Sequence, residues 1–292
     1  MPGISASPEA CSTCGSRDLT RFVATRQLAL HRCRACEGLT AFPRPTPHAL
    51  IAHHDSEEYF SHPYFERRRE DLEGADARSR DVFDRVRAAL PDFSPRGRRH
   101  LDVGCDTGVF LEAFARRYGT LPIGVDVSAR AVEMARARGI EAYAADLANA
   151  SREIGDCAVI TVIDVIEHVA DPIQLLREVR ARLGAGGVCY IETPNIRSLV
   201  YGVGRSVSNL TGGRPAWLCE RLFLPEHVQY LSAEGFKHAA RAAGLRLLTL
   251  THRSLGAEDV NVAAPVKLAV QSIQAIDRLL GREILHCAVL TV

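Results

Sequence analysis

The chain has 292 residues, of which 47% are hydrophobic and 24% are charged, and its formal net charge is +1. This composition is typical of a folded globular protein and excludes a disordered tail, a fibre or a miniprotein. Because 36 basic side chains balance 35 acidic ones, we expect no nucleic-acid partner, since nucleic-acid-binding proteins usually carry a clear basic excess. No apolar run of membrane-spanning length occurs and the N-terminus lacks a secretion-signal pattern, so we expect a cytoplasmic protein without a membrane span.

Four cysteines near the N-terminus form two Cys-x-x-Cys pairs. The pairs are Cys11 with Cys14 and Cys33 with Cys36. Zn²⁺ binds four thiolates in a tetrahedron, and two such turns joined by a hairpin supply them. The segments 19–25 and 27–32 between the pairs are short and apolar at alternate positions, which predicts the two strands of that hairpin. We therefore predict a structural zinc ribbon over residues 1–42, because four thiolate ligands leave no open coordination position for catalysis.

Prolines mark the end of the cysteine-rich module. Residues 43–47 read Pro-Arg-Pro-Thr-Pro, a stiff sequence that can neither continue a helix nor join a β-ladder. Further on, residues 75–90 have a helical pattern that stops at Pro91. We therefore treat residues 43–95 as a linker with N-terminal helices, which could either cover an active site or pack between the two modules.

From residue 96 onward, predicted strands and helices alternate, which is typical of an α/β fold with a parallel sheet between two layers of helices. Strands are predicted near 99–104, 121–126, 141–145, 157–163, 187–193, 245–252 and 284–292. Helices are predicted near 108–118, 128–138, 171–183, 232–243 and 264–280. We place this core over residues 96–292, with insertions at 196–230 and 254–282.

The first predicted strand of the core runs into a glycine-containing loop. This loop contains Asp102, Gly104, Cys105, Asp106 and Gly108. Its glycines permit close approach of a ligand to the backbone, and the helix that follows offers free N–H groups at its N-terminus. The spacing Gly-x-x-x-Gly, with an acid before the first glycine, disfavours a nicotinamide dinucleotide, whose pyrophosphate would be repelled there.

Acidic residues follow the next three strands, at the sheet edge where ligands bind in such folds. Asp126 ends the second strand before Val127, and its carboxylate could accept hydrogen bonds from the two hydroxyls of a ribose. Asp146 and Leu147 follow the third strand, where an adenine amino group could bind. Asp164 follows the fourth strand.

These residues stand in motifs that occur in a fixed order along the chain: Leu-Asp-Val-Gly-Cys-Asp-Thr-Gly, Gly-Val-Asp-Val-Ser, Ala-Asp-Leu and Asp-Val-Ile-Glu-His-Val-Ala-Asp-Pro. The set resembles the successive motifs of class I S-adenosylmethionine-dependent methyltransferases, over about residues 80–252. The resemblance implies a seven-stranded Rossmann-like sheet with an antiparallel last strand, and S-adenosylmethionine as methyl donor. It also implies cofactor binding by Asp102, Gly104, Cys105, Asp106, Gly108, Asp126, Val127, Asp146, Leu147 and Asp164.

One residue departs from the family pattern. The middle glycine of the family's loop is Asp106 here, which places a carboxylate where the backbone usually approaches the ligand. Asp106 could pair with the ammonium group of the methionine moiety or repel its carboxylate. We expect cofactor binding to be retained, because the flanking glycines and Asp126 are present.

Two Glu-His pairs are candidates for moving the proton of a weakly nucleophilic acceptor. Glu167-His168 follows the fourth strand, and Glu226-His227 follows the insertion after the fifth. His168 could contact the acceptor or could only pack, whereas for His227 we favour a catalytic role with Glu226 beside it, because its turn follows an insertion. The set Asp164, Glu167 and His168 also resembles the metal-binding segment of some quinol and RNA O-methyltransferases, which makes Mg²⁺ a minor alternative.

The cysteine module, the class I core and the pair Glu226 and His227 together resemble the sugar C-methyltransferases of antibiotic biosynthesis. In those enzymes the corresponding Glu-His pair acts on the acceptor. The resemblance implies methyl transfer to a small molecule in secondary-metabolite or nucleotide-sugar biosynthesis, with a histidine as general base. The alternatives are an rRNA methyltransferase with a zinc module and a non-catalytic zinc-ribbon interaction protein with a degenerate core.

Overall fold

The computed structural model describes residues 8–25, 27–61, 63–150, 154–212, 222–255 and 264–292. Within these residues the chain forms one seven-stranded sheet and one four-stranded sheet. Parts of both predicted insertions, residues 213–221 and 256–263, lie outside the described residues.

The N-terminal module is an antiparallel meander. Its strands are β1 (Leu19–Ala24), β2 (Ala29–Cys33) and β3 (Leu39–Phe42). The two strands predicted between the cysteine pairs are confirmed, while β3 was not predicted. A short strand of the core, β9 (Gln229–Tyr230), adds to the meander next to β3, with Thr40 opposite Gln229. The cysteine-rich module therefore shares a sheet with a segment that is distant in sequence.

Four helices follow the proline-rich segment. They are α1 (Pro47–His54), α2 (Glu57–Phe60), α3 (Pro63–Glu70) and α4 (Leu72–Ala89). Side chains that accept a hydrogen bond from the first turn begin three of them: Thr46 caps α1, Ser56 caps α2 and Asp71 caps α4. The helical pattern over 75–90 corresponds to α4, which starts three residues earlier than predicted.

The central sheet has the strand order β10-β11-β8-β7-β4-β5-β6. The strands are β4 (Arg99–Val103), β5 (Leu121–Asp126), β6 (Glu141–Ala144), β7 (Cys157–Ile163), β8 (Leu183–Pro194), β10 (Arg246–Arg253) and β11 (Leu285–Thr291). All pairings are parallel except those of β11, which runs antiparallel to both β8 and β10. The prediction of a seven-stranded α/β sheet whose last strand is antiparallel is confirmed.

Helices connect the strands and cover both faces of the sheet. They are α5 (Val109–Tyr118), α6 (Ala129–Ala137), α7 (Leu147–Ala150), α8 (Pro172–Arg182), α9 (Leu199–Thr211), α10 (Ala233–Ala242) and α11 (Ala264–Leu279). The short α7 and the inserted α9 were not predicted as helices. Among the described residues, no helix has the length and apolarity needed to cross a membrane.

Strand β7 lies at the centre of the sheet and is buried along almost its whole length. Its continuous apolar sequence fits a strand that is covered on both faces. Leu176 of α8 and Phe236 of α10 pack in the main core cluster, while Val82 of α4 and Phe114 of α5 pack in a second cluster that also contains Val159. This packing holds the carboxyl ends of β4, β5 and β7 at one edge, which is where the candidate site lies.

Candidate active site

A cleft of about 520 Å³ lies at the carboxyl ends of these strands. Its lining includes the following residues from the predicted cofactor set: Asp102, Gly104, Cys105, Asp106, Asp126, Val127, Asp146, Leu147 and Asp164. Gly108, the remaining member, is the residue before the first turn of α5. A concave site of this size with several converging polar groups suits a small-molecule ligand. The residues that the sequence motifs connect are therefore brought together in space.

The loop after β4 depends on backbone conformations that favour glycine. Gly104 and Gly108 have φ angles of +75° and +78°. A Cβ atom on Gly104 would lie 2.3 Å from Val165 Cγ2, and one on Gly108 would lie 2.4 Å from Ile140 Cδ1. Side chains are excluded at both positions by conformation and by space, so the loop stays close against the core and leaves its other side to the cleft.

Asp126 is held at the end of β5 by main-chain donors. The backbone N–H groups of Asp106 and Ser128 each donate a hydrogen bond of 2.9 Å to the two carboxylate oxygens of Asp126. Burial raises the pKa of Asp126 to about 6, although these two donors act in the opposite direction. The carboxylate is thus fixed in orientation, and each oxygen keeps a lone pair for a hydroxyl donor.

Asp106, the residue that replaces the family's glycine, is paired with an arginine. It adopts a φ of +46°, and both of its carboxylate oxygens lie 3.1 Å from Arg69 Nε. Arg69 is 4% exposed, donates to the carbonyl oxygen of Phe60 at 2.9 Å and lies 4.1 Å from the centre of the Phe60 ring. Burial raises the pKa of Asp106, and Arg69 opposes that effect. The extra negative charge in the loop is therefore balanced from α3.

Asp102 ends a buried chain of hydrogen bonds across two strands. Thr161 Oγ1 donates to Asp102 Oδ1 at 2.6 Å, and His100 Nε2 lies 2.9 Å from the same hydroxyl. Because the hydroxyl proton goes to the carboxylate, the imidazole donates to the threonine oxygen. Burial raises the pKa of Asp102 to about 7 and lowers that of His100 to about 3.

Asp164 belongs to a partly buried ion network that joins α4 to the sheet. Arg78 Nη2 lies 3.1 Å from Asp164 Oδ2 and also pairs with Glu192, which Arg253 contacts at 2.6 Å. Burial alone would raise the pKa of Glu192, but Arg78 and Arg253 lower it below its ordinary value. The network fixes α4 over the end of β7, and it engages Asp164 with a cation.

His168 is the one member of the predicted catalytic set that lines this cleft, as far as the described residues show. Its ring centre lies 5.2 Å from that of His54 and 4.7 Å from that of His227, with the rings near perpendicular. His168 Nδ1 lies 3.0 Å from the carbonyl oxygen of Glu226. Since a carbonyl can only accept, Nδ1 carries the proton and Nε2 keeps its lone pair. Burial, with His227 and His54 nearby, lowers the pKa of His168 well below its ordinary value.

The other predicted catalytic residues lie behind His168. His227 is 7% exposed, and its Nδ1 is 3.2 Å from the hydroxyl oxygen of Tyr230. Glu226 contacts His168 through its main-chain carbonyl. The turn that contains both residues thus orients the His168 ring.

A second set of side chains in this region has the composition of a metal site. Glu167, His168 and His227 offer ligand atoms that all lie within 4.8 Å of one another. The Glu167 carboxylate accepts a hydrogen bond of 2.9 Å from Thr193. Two imidazoles and one carboxylate suit a transition metal ion better than Mg²⁺, which prefers oxygen ligands. Asp164 is not part of this set, although the resemblance to quinol and RNA O-methyltransferases groups it with Glu167 and His168.

The four N-terminal cysteines converge in the same way. Sγ of Cys11 lies 3.6 Å from that of Cys36, Sγ of Cys14 lies 3.5 Å from that of Cys33, and all four sulfurs are within 4.8 Å of one another. A tetrahedral ion with metal–sulfur bonds of about 2.3 Å requires sulfur–sulfur distances of about 3.8 Å. The arrangement fits a zinc ion, and zinc binding itself stays a prediction.

Hydrogen bonds connect the cysteine module to the loop that carries His168. Ala41 N donates to the carbonyl of Val228 at 2.9 Å, and Val228 N donates to the carbonyl of Glu167 at 3.0 Å. Gln229 Nε2 donates to the carbonyl oxygens of Ile166 and Val169 at 2.8 and 3.1 Å. The backbone around His168 is therefore held by β9, and β9 is held by β3.

Sequence reasoning missed several residues that line or support the cleft. They are Arg44, His54, Arg69 and Arg78. All four belong to the linker and the N-terminal helices, where no motif distinguishes one arginine or histidine from the next. The run Arg67-Arg68-Arg69 shows positive charge, but only the packing of α3 decides which guanidinium group faces Asp106.

Comparison with known proteins identifies the class to which this site belongs. Residues 74–250 match a family model described as a methyltransferase domain. The chain therefore belongs to this methyltransferase family, and it is an S-adenosylmethionine-dependent methyltransferase. This confirms the enzyme class and the methyl donor expected from the motifs.

Two curated relatives match part of this chain. A ubiquinone biosynthesis O-methyltransferase of Bordetella avium (strain 197N) is 33% identical over 109 residues, which are 35% of this chain and 45% of the relative. One from Coxiella burnetii (strain Dugway 5J108-111) is 25% identical over 162 residues, 53% of this chain and 67% of the relative. The chain thus spans less than half the length of the first relative and about two thirds of the second.

A solved structure agrees in fold. The plantazolicin methyltransferase in complex with a monoazolic desmethylPZN analogue and SAH has a TM-score of 0.52 at 18% identity. The similarity covers 82% of this chain and 95% of that one. At this level of identity the comparison supports the fold alone.

Proposed function

We propose that this enzyme transfers a methyl group from S-adenosylmethionine to a hydroxyl oxygen of a small molecule, with His168 as the general base. The observation that carries the proposal is the position of His168 on the cleft, with Nδ1 bound to a carbonyl and Nε2 left to accept a proton. The O-methyltransferases among the relatives support this acceptor class.

In the proposed reaction the acceptor oxygen attacks the methyl carbon as the carbon–sulfur bond breaks and sulfur takes the bonding electrons. Nε2 of His168 takes the hydroxyl proton. Asp126 would accept hydrogen bonds from the ribose hydroxyls, and Asp146 would meet the adenine amino group. The residues that line the cleft would hold the methyl donor and the acceptor in line. Such alignment supplies a large part of the rate enhancement in a displacement of this kind.

We assign His227 and Glu226 to positioning rather than to proton transfer. The His227 ring packs against His168, and Glu226 supplies the carbonyl that sets the tautomer of His168. A change of the Glu226 side chain leaves that carbonyl in place. In this proposal His227, for which the sequence favours a catalytic role, supports the base instead of acting as the base.

The test compares His168→Gln, His227→Gln and Glu226→Gln. S-adenosylhomocysteine release is measured with a panel of phenolic and other hydroxylated acceptors, and S-adenosylhomocysteine affinity is measured by calorimetry. We expect His168→Gln to lower turnover by about 100-fold or more with cofactor affinity within a few-fold of wild type. Glu226→Gln should retain most activity. Full activity in His168→Gln, together with loss in His227→Gln, would move the base to His227.

The group Glu167, His168 and His227 supports a second way of activating the acceptor, through a bound divalent metal. Such an ion would supply Lewis-acid polarisation of the acceptor oxygen. Metal analysis separates the two mechanisms: two ions per chain, falling to one in His168→Gln, would favour the metal. One ion per chain in both proteins, lost in Cys14→Ser, would favour the neutral base.

A place in secondary-metabolite or nucleotide-sugar biosynthesis stays a finer proposal that rests on the similarity to sugar C-methyltransferases. An rRNA acceptor stays the alternative within the same enzyme class. A non-catalytic protein with a degenerate core does not agree with membership of a methyltransferase family. The main argument for it is the negative charge of Asp106 in the cofactor loop, and Arg69 balances that charge.

A further inference from the structure

One cation on the wall of the cleft has no counterion among the residues that the structure describes. Arg44 is half-buried, lies between two prolines and lines the same cleft as His168. In the described part of the chain no hydrogen bond or ion pair involves its side chain. Burial lowers the pKa of Arg44, with Cys11 acting weakly in the opposite direction. A half-buried guanidinium group that faces the cleft and has no protein partner among the described residues leaves its N–H donors available to an anionic ligand.

The partners of two other arginines at the cleft make the contrast clear. Arg69 pairs with Asp106, and Arg78 pairs with Asp164 and Glu192. Arg44 lines the cleft from the Pro-Arg-Pro-Thr-Pro segment, and among the described residues no carboxylate of the cleft forms an ion pair with it. A guanidinium group presents a planar fork of N–H donors that matches a carboxylate or a phosphate.

Apolar side chains from the same part of the chain line the cleft together with Arg44. They are Pro45, Leu50 and Ile51, with Val228 from the turn before β9. Residues 44–54 are separate from the four cofactor motifs, so this part of the lining is available to the acceptor. His54, also in this segment, contacts the ring of His168.

We propose that Arg44 binds an oxyanion of the acceptor, so that the enzyme acts on an anionic small molecule with an apolar body. This inference rests on the proposed function, because it assumes that the acceptor occupies the part of the cleft beside His168. It adds two statements to the proposed function: the acceptor is an anion, and Arg44 selects it.

Arg44 could instead serve the cysteine cluster, since Cys11 influences it electrostatically. Four thiolates around a divalent ion carry a net negative charge that a nearby cation would offset. The two roles differ in what an Arg44 variant loses: affinity for anions in one case, and bound zinc in the other.

The test uses the full chain loaded with S-adenosylhomocysteine. Calorimetric titrations with benzoate, phenyl phosphate and the neutral benzamide are compared in wild type, Arg44→Gln, Arg44→Lys and Arg34→Gln. Arg34 is the matched control, because it is an exposed arginine of the neighbouring cysteine module and pairs only with Asp18 among described residues. We expect an anion to bind at least tenfold more tightly than benzamide, Arg44→Gln to remove that preference, and Arg34→Gln to leave it unchanged.

The other outcomes are equally informative. The order of benzoate and phenyl phosphate decides whether the site takes a carboxylate or a phosphate. No preference for either anion over benzamide in wild type overturns the inference, as does an unchanged preference in Arg44→Gln. Zinc loss in Arg44→Gln with unchanged anion binding assigns Arg44 to the cysteine cluster. Because S-adenosylhomocysteine binding is measured first, its failure would count against the proposed function itself.

Discussion

At the scale of single residues, we expect buried Asp126 to make cofactor binding sensitive to pH. Burial raises the pKa of Asp126 to about 6 and that of Asp102 to about 7. Ribose hydroxyls are donors, so they favour the ionised form of Asp126. We expect the affinity for S-adenosylhomocysteine to fall by up to about tenfold per pH unit below pH 6 and to level off above pH 7.

Calorimetry between pH 5 and pH 8 measures this dependence, with Asp126→Ala as the variant that lacks it. Without ligand, the stability of the fold changes with pH in the direction opposite to the cofactor affinity. The folded state holds these protons more tightly than the unfolded chain, so ligand-free stability should fall as pH rises from about 4 to about 7. An affinity that is flat with pH in wild type would show that Asp126 is already ionised at pH 5.

Arg69 and Asp106 form a pair whose removal should be felt in cofactor binding. In Arg69→Gln the carboxylate of Asp106 keeps its charge at a φ of +46° but loses the guanidinium group whose Nε–H contacts both of its oxygens. We expect cofactor affinity to fall about tenfold, because hydrogen bonds to charged groups contribute about 1.5–3 kcal/mol.

Asp106→Gly restores the glycine of the family pattern and removes the unpaired charge. In the double variant we therefore expect affinity to recover by several-fold relative to Arg69→Gln. Effects of the two substitutions that simply add in a double-mutant cycle would show that the pair does not act through charge.

At the scale of elements, β9 connects the cysteine cluster to the loop of His168. In Cys14→Ser we expect β3 and β9 to become susceptible to proteolysis and methyl transfer to fall at least tenfold, because the hydrogen bonds to Glu167 lose their support. Cofactor affinity should stay within a few-fold, since the cofactor motifs lie on β4 to β7.

Gln229→Leu provides the complementary variant. It removes the side-chain donors to Ile166 and Val169 but leaves every cysteine in place. We expect a similar loss of methyl transfer with full zinc content. Wild-type turnover in both variants would show that the cysteine module supports only its own fold.

Elements with a strong local pattern were predictable, and elements defined by packing were not. The apolar run of β7 and the capped, amphipathic α8 agree with prediction to within a residue or two. By contrast, β9 has two residues, and it is a strand only because β3 lies beside it. The helices α1 to α3 are short, and α1 and α3 begin at prolines, so local sequence alone does not favour them over a linker.

At the scale of the whole molecule, the near-neutral net charge favours a small-molecule acceptor over an RNA acceptor. With a net charge of +1, the protein lacks the positive field that supports binding to a phosphate backbone. We expect no RNA affinity in a filter-binding assay at about physiological salt. Tight binding that weakens steeply with added salt would restore the rRNA alternative.

The sequence by itself determined the enzyme class and the seven-stranded sheet, and it predicted which residues meet at one sheet edge, because each motif is local and follows its own strand. The spacing of Cys11, Cys14, Cys33 and Cys36 likewise predicted their convergence. Only the tertiary structure decided which of the predicted catalytic histidines lines the cleft, which arginine balances Asp106, and which arginine of the cleft has no partner among the described residues. Those relations join the linker and the N-terminal helices to the core, and contacts between residues so distant in sequence have no local periodicity that could reveal them.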